Sequence, residues 1–93
     1  MDLDDNQRIT IRADVLSRLV EGEAVLLDLK SGTYFGLNEV GSEVWEIIGT
    51  GASLGEIKDQ LMDRFEVDRA TLDRDLAALI AQLQDRGLVD LEP

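Results

Sequence analysis

A chain of 93 residues, 44% apolar and 31% charged, suits one globular domain with a modest core and leaves no room for a buried catalytic cavity plus a second module. Nine basic against 20 acidic side chains leave a net charge of −11, which opposes phosphate backbones, favours basic peptides or protein faces, and also aids solubility. With neither Cys nor His, disulfides, thiolate metal sites and thiol or imidazole catalysis are excluded.

Met1 to Gln7 is polar and acidic and is expected to be disordered. Asp2, Asp4, Asp5 and Asn6 lack the Gly and the distal Glu of an EF-hand loop, so they read as a solvated tail. The segment has no positive start of a secretory signal, and no run reaches the roughly 20 apolar residues of a membrane span. A cytoplasmic protein with no membrane partner is expected.

Arg8 to Ala13 alternates, with Ile9, Ile11 and Ala13 on one side, as an extended segment along a sheet does. Val15–Val20 and Glu23–Leu29 are separated only by Glu21 and Gly22, and a two-residue link ending in Gly suits a tight hairpin. In the second run Val25, Leu27 and Leu29 face one way while Ala24, Leu26 and Asp28 face the other. Lys30-Ser31-Gly32 turns the chain again, and Thr33 to Leu37 completes a three-stranded meander with its last strand at an edge.

Asn38 is a preferred cap for a helix running to about Ile48, with Val40, Val44, Ile47 and Ile48 as its inward stripe and Trp45 on the flank. Gly49 and Gly51 end it. Ser53 and Glu56 have capping-box spacing ahead of Leu54, Ile57, Leu61 and Phe65. Asp68 caps the third and longest helix, whose stripe is Leu72, Leu76, Leu79, Ile80 and Leu83, and Gly87-Leu88 fits a left-handed helix terminus. Val89 to Leu91 adds a few extended contacts. The fold class is α+β: a three-stranded antiparallel sheet followed by a three-helix bundle, winged-helix-like, with residues 1–93 as one domain.

No spacing of carboxylates or hydroxyls singles out a catalytic set. Asp73 and Asp75 point about 200° apart on a helix, and Asp59 and Asp63 share a solvated face. The third helix offers Arg69, Arg74 and Arg86 against Asp68, Asp73, Asp75 and Asp85, a poor recognition helix for nucleic acid. Peptide binding has a positive argument: the edge strand Thr33–Leu37 carries no Lys or Pro to discourage pairing, so an extended peptide can add itself there. Tyr34, Phe35 and Leu37 serve equally as core, the favoured reading for Phe35 and Leu37.

The run Gly32-Thr-Tyr34-Phe35-Gly-Leu37-Asn38-Glu-Val-Gly41-Ser-Glu-Val-Trp45, with Val25-Leu26-Leu27 before it and Asp75-Leu-Ala-Ala-Leu79 to Gly87-Leu88 after it, resembles the PqqD-like proteins. These are named for pyrroloquinoline quinone biosynthesis and include the recognition elements of ribosomally made, modified peptides. The resemblance spans Val15 to Val89. It implies a non-catalytic protein that captures the leader segment of a precursor peptide as an added strand and presents the core to modifying enzymes; no cofactor and no metal are expected. The backbone of Thr33, Tyr34, Phe35, Gly36 and Leu37 would pair with the leader, and Leu72, Asp73, Leu76, Ala77 and Ile80 would offer the helix side of a groove. The implied partners are the precursor peptide and a leader-removing cysteine protease, as in lasso-peptide clusters, or another peptide-modifying enzyme. A monomer or a weak homodimer through the open edge is expected, and the rival function is an acidic winged-helix regulator or adaptor.

Overall fold

A computed structural model describes residues 4–92. In it the predicted hairpin joins β2 (Val15–Val20) to β3 (Glu23–Asp28), paired from Val15↔Asp28 to Val20↔Glu23. Glu21 and Gly22 take φ of 54° and 84°, the left-handed pair that a two-residue turn demands, and Gly accepts the second without steric cost. β4 (Thr33–Gly36) returns against β3 from Asp28↔Thr33 to Val25↔Gly36, giving the sheet order β2-β3-β4. Three helices follow: α1 (Glu39–Gly49), α2 (Leu54–Arg64) and α3 (Arg69–Asp85). The architecture is the expected mixed α+β one. No helix among the described residues is long and apolar enough to cross a membrane.

Each helix starts where a side chain satisfies its first free N–H groups. Asn38 accepts from Gly41 N–H, Ser53 and Glu56 form a reciprocal capping box, and Asp68 accepts from Ala70 and Thr71 N–H. Asp68 is held below the ordinary carboxylate value, first by the Thr71 hydroxyl and then by these backbone groups. At the end of α3, Gly87 turns at φ 73° and Leu88 N–H bonds back to Leu83 O at 2.9 Å, which closes the helix as expected.

Two expectations about the N-terminal part need correction. The stretch after Gln7 does not lie along the meander; β1 (Arg8–Ile11) pairs antiparallel with β5 (Val89–Glu92), forming a separate two-stranded sheet. The partners stand at opposite ends of the chain, so no local turn announces them. Asp4 to Gln7, expected to be disordered, instead lies on the start of α2, with Leu54 N–H donating to Gln7 O and Gly55 N–H to Asp5 O, both at 2.8 Å. Met1, Asp2 and Leu3, the rest of that expected disordered tail, lie outside the described residues.

Leu26, Leu54, Ile57, Leu61, Ile80 and Leu83 form the centre of the core between the inner sheet face and the helices. Trp45 is buried there rather than on a flank, and Val40, expected in the inward stripe, is exposed. Lys58 is a buried cation of α2, its Nζ 2.9 Å from Asp5 Oδ1 and 3.0 Å from Asp73 Oδ1. Ser42 is a buried hydroxyl that accepts from Ala24 N–H and donates to Asn38 O, each at 2.7 Å, joining β3 to the first turn of α1.

Removing that hydroxyl strands a buried N–H, so Ser42→Ala is expected to cost about 1–3 kcal/mol, read as a lower urea midpoint at unchanged slope. The Asp5 carboxyl is held below 3.8, chiefly by its hydrogen bond from Lys58 and then by that cation's charge. A lowered carboxyl value contributes stability above the ordinary value and loses it as pH falls through the lowered one. The Leu54 and Gly55 amide NMR signals are therefore expected to move with a midpoint below 3.8 as the N-terminal turn lets go.

Candidate functional site

β4 has one hydrogen-bonded neighbour, β3, and its far side is an open edge among the described residues. Leu37 N–H donates to Ala24 O at 2.9 Å, and the two-residue period of an antiparallel ladder then turns the backbone groups of Phe35 and Thr33 toward β3 as well. The N–H and C=O of Tyr34 and Gly36 consequently point outward. β2 forms the opposite edge of the sheet, but it contributes nothing to the groove described next.

Beside β4 runs a groove of about 510 Å³ between the β4–α1 junction and α3. Phe35, Leu37 and Val40 form one side, Ala78, Leu79 and Gln82 the other, and Asp75 stands at one end. A smaller hollow of about 140 Å³ continues past Phe35 to Thr33 and Arg86. The junction is shaped by Gly41: a Cβ there would lie 3.2 Å from Asn38 Oδ1 and 3.4 Å from Leu37 Cβ, so a side chain would crowd the cap that turns strand into helix. The strand's two faces differ. Phe35 is half-buried against the core, whereas Tyr34 is 68% exposed on the outer face, in the row Leu16-Leu27-Tyr34.

The structure brings Thr33, Tyr34, Phe35, Gly36 and Leu37 together along the edge, with Leu37 buried under the groove. It does not bring the five helix positions to the groove. Leu72, Leu76 and Ile80 are buried in the core, and Asp73 and Ala77 lie on its far flank, where Asp73 meets Lys58 of α2. At about 100° per residue, Asp75, Leu79 and Gln82 fall instead on the flank that faces β4. The outermost leucine of the apolar stripe, Leu79, was the available sign. Periodicity locates a stripe but not which of its two flanks meets the strand. Val40 gave no such sign: its spacing put it in the inward stripe, and only the structure shows it exposed.

With this geometry in view, residues 23–89 match the family model described as coenzyme PQQ synthesis protein D, PqqD. The chain belongs to the PqqD family. The matched span runs from the start of β3 to the first residue of β5, so it contains the whole edge, the junction and the groove of this PqqD-family chain. Among solved structures it is similar to TbiB1 in complex with the TbiA(beta) leader peptide, at 38% identity, covering 87% of this chain and 94% of that one with a TM-score of 0.84. It is also similar to a lasso peptide synthetase B1 complexed with the leader peptide, at 28% identity over 89% of this chain and 98% of that one, TM-score 0.82. No curated protein sequence matches at a significant level.

The two sides of the α3 stripe can be told apart by stability. Ile80→Ala, which empties a fully buried site, is expected to cost about 2–5 kcal/mol, while Gln82→Ala on the groove side stays within about 0.5 kcal/mol of the parent; urea titration of both variants measures the difference.

Proposed function

We propose that this PqqD-family protein captures the leader segment of a ribosomally made precursor peptide and holds it for the enzymes that process or modify the rest. The observation that carries the reading is the outward-facing N–H and C=O pair of Tyr34 and Gly36 on an unshared strand, with a groove directly beside it. Main-chain pairing supplies affinity without regard to sequence, and alternate side chains of the added strand enter the groove for specificity. Each backbone bond contributes about 1 kcal/mol net and each buried anchor about 2 kcal/mol. Ordering the peptide offsets part of this gain, so several contacts must act together.

The solved leader-peptide complexes of TbiB1 and of a lasso peptide synthetase B1 support the same occupant for this site and favour the lasso-peptide class. The protein itself acts without catalysis, the chemistry belonging to its partners, of which a leader-removing cysteine protease is the first candidate. On this reading Thr33 to Leu37 pair with the leader, and Asp75, Ala78, Leu79, Gln82 and Val40 take the place on the groove wall that the sequence assigned to Leu72, Asp73, Leu76, Ala77 and Ile80. The net charge of −11 works against nucleic acid as the ligand.

Gly36 allows a clean test. A Cβ at this position meets nothing within 4 Å, so Gly36→Ala keeps the N–H and is expected to retain capture of the leader encoded by a neighbouring precursor gene. Gly36→Pro removes the outward donor without removing a bond to β3 and is expected to abolish the calorimetric signal. Equal binding by a folded Pro variant would place the ligand elsewhere.

A further inference from the structure

The groove beside β4 is flanked by opposite charges at its two ends. Asp75, Leu79, Gln82 and Arg86 fall within about 60° of one another at 100° per residue, so they form a single row along α3. Asp75, Leu79 and Gln82 line the groove, and Arg86 lines the hollow that continues it toward Thr33. The Arg86 guanidinium stands 4.6 Å from the centroid of the Phe35 ring, which holds the cation over the strand. In a chain with 20 acidic residues, Arg86 has no ion-pair partner among the described residues. Asp28, the carboxylate that shares the hollow, is engaged by Lys30 N–H and the Ser31 hydroxyl instead. At the other end the ion contact of Asp75 is its exposed neighbour Arg74, at 3.8 Å.

Resting on the strand-addition reading, we infer that the site selects its peptide by charge as well as by apolar anchors. The captured strand carries an Asp or Glu beside Arg86 and a Lys or Arg beside Asp75, with an apolar side chain between them over Phe35 and Leu79. The spacing follows from the helix: eleven residues at 1.5 Å each make a row of about 16 Å, and an extended chain at 3.3 Å per residue covers that in about five residues. On an added strand, residues opposite Thr33, Phe35 and Leu37 share the groove face, and those opposite Tyr34 and Gly36 turn to the outer face, where Leu16 and Leu27 favour apolar side chains. Positions on one face are an even number apart, so the two charges sit about four or six residues apart on the added strand. Such a pattern also rejects an all-acidic peptide, which the protein's own field repels.

The test selects a random displayed peptide library separately on the parent protein, Arg86→Glu, Asp75→Lys and Gly36→Pro, each confirmed folded by its denaturation midpoint. The parent is expected to enrich acidic and basic residues about four or six positions apart, with an apolar residue between them on the same face. Arg86→Glu should exchange the acidic preference for a basic one, and Asp75→Lys should do the reverse at the other end. For one synthetic parent-selected peptide, Arg86→Gln is expected to weaken binding about three- to fivefold, the scale of a partly exposed ion pair, and to have no effect once the peptide's acid is replaced by its amide. An apolar consensus that ignores both charges and survives Arg86→Glu, yet is lost in Gly36→Pro, would overturn the charge reading while leaving strand capture in place. Enrichment of the same peptides by Gly36→Pro and the parent would overturn strand capture itself, and this inference with it.

Discussion

The short passage from β4 into α1 is the constraint on which the site depends. Only Leu37 and Asn38 separate the last strand residue from the helix, and the Asn38 cap, the close approach of Gly41 and the buried Ser42 hydroxyl fix the direction in which the chain leaves the sheet. Once it has turned into a helix, the chain cannot continue as a fourth strand. The same turn places α1 and then α3 beside the vacated edge, so the open backbone groups and the groove have a common origin. An edge strand is ordinarily a hazard of unwanted pairing. Here that edge lies directly beside a groove.

Elsewhere, segments far apart in the chain tie the fold together. The two chain ends pair with each other as β1 and β5, and the turn at Asp4–Gln7 supplies acceptors to the first N–H groups of α2. Lys58 anchors this corner: burial disfavours its charge, but its hydrogen bond to Asp5, the largest influence, and the Asp73 carboxylate raise its pKa instead. The cation is buried while both carboxylates are about half exposed, so the pairing offsets the cost of burying Lys58 and joins the N-terminal turn, α2 and α3. That arrangement also explains why Asp73 is unavailable to the groove. It faces α2, on the side of α3 away from β4.

Local physics made most of the fold legible. The Glu21-Gly22 turn, the three helix caps and the Gly87 terminus each rest on a few adjacent residues, and all are found where the residues demand them. The edge strand and its Tyr34-Phe35 pair were legible for the same reason, because alternation within five residues is a local signal. The β1–β5 pairing and the docking of Asp4–Gln7 were not, since each joins segments whose sequences carry no mark of one another. Val40 and Trp45 exchanged their expected places because an 11-residue helix with apolar groups on a broad face has no single inward direction until its neighbours are set.

The residues alone determined that a strand with an unguarded edge runs into a capped helix, and that neither Cys nor His is present to support the familiar chemistries. Helical periodicity likewise determined that Leu72, Leu76, Ile80 and Leu83 share one face. Tertiary structure alone decided which flank of that face looks across at β4, and so made Asp75, Leu79, Gln82 and Arg86, rather than Asp73 and Ala77, the row that lines the groove and the hollow beside it. A helix specifies angles between its own side chains. Its rotation against a sheet is set by the core that the buried leucines of α3 share with Leu26, Ile57 and Leu61, residues of other elements.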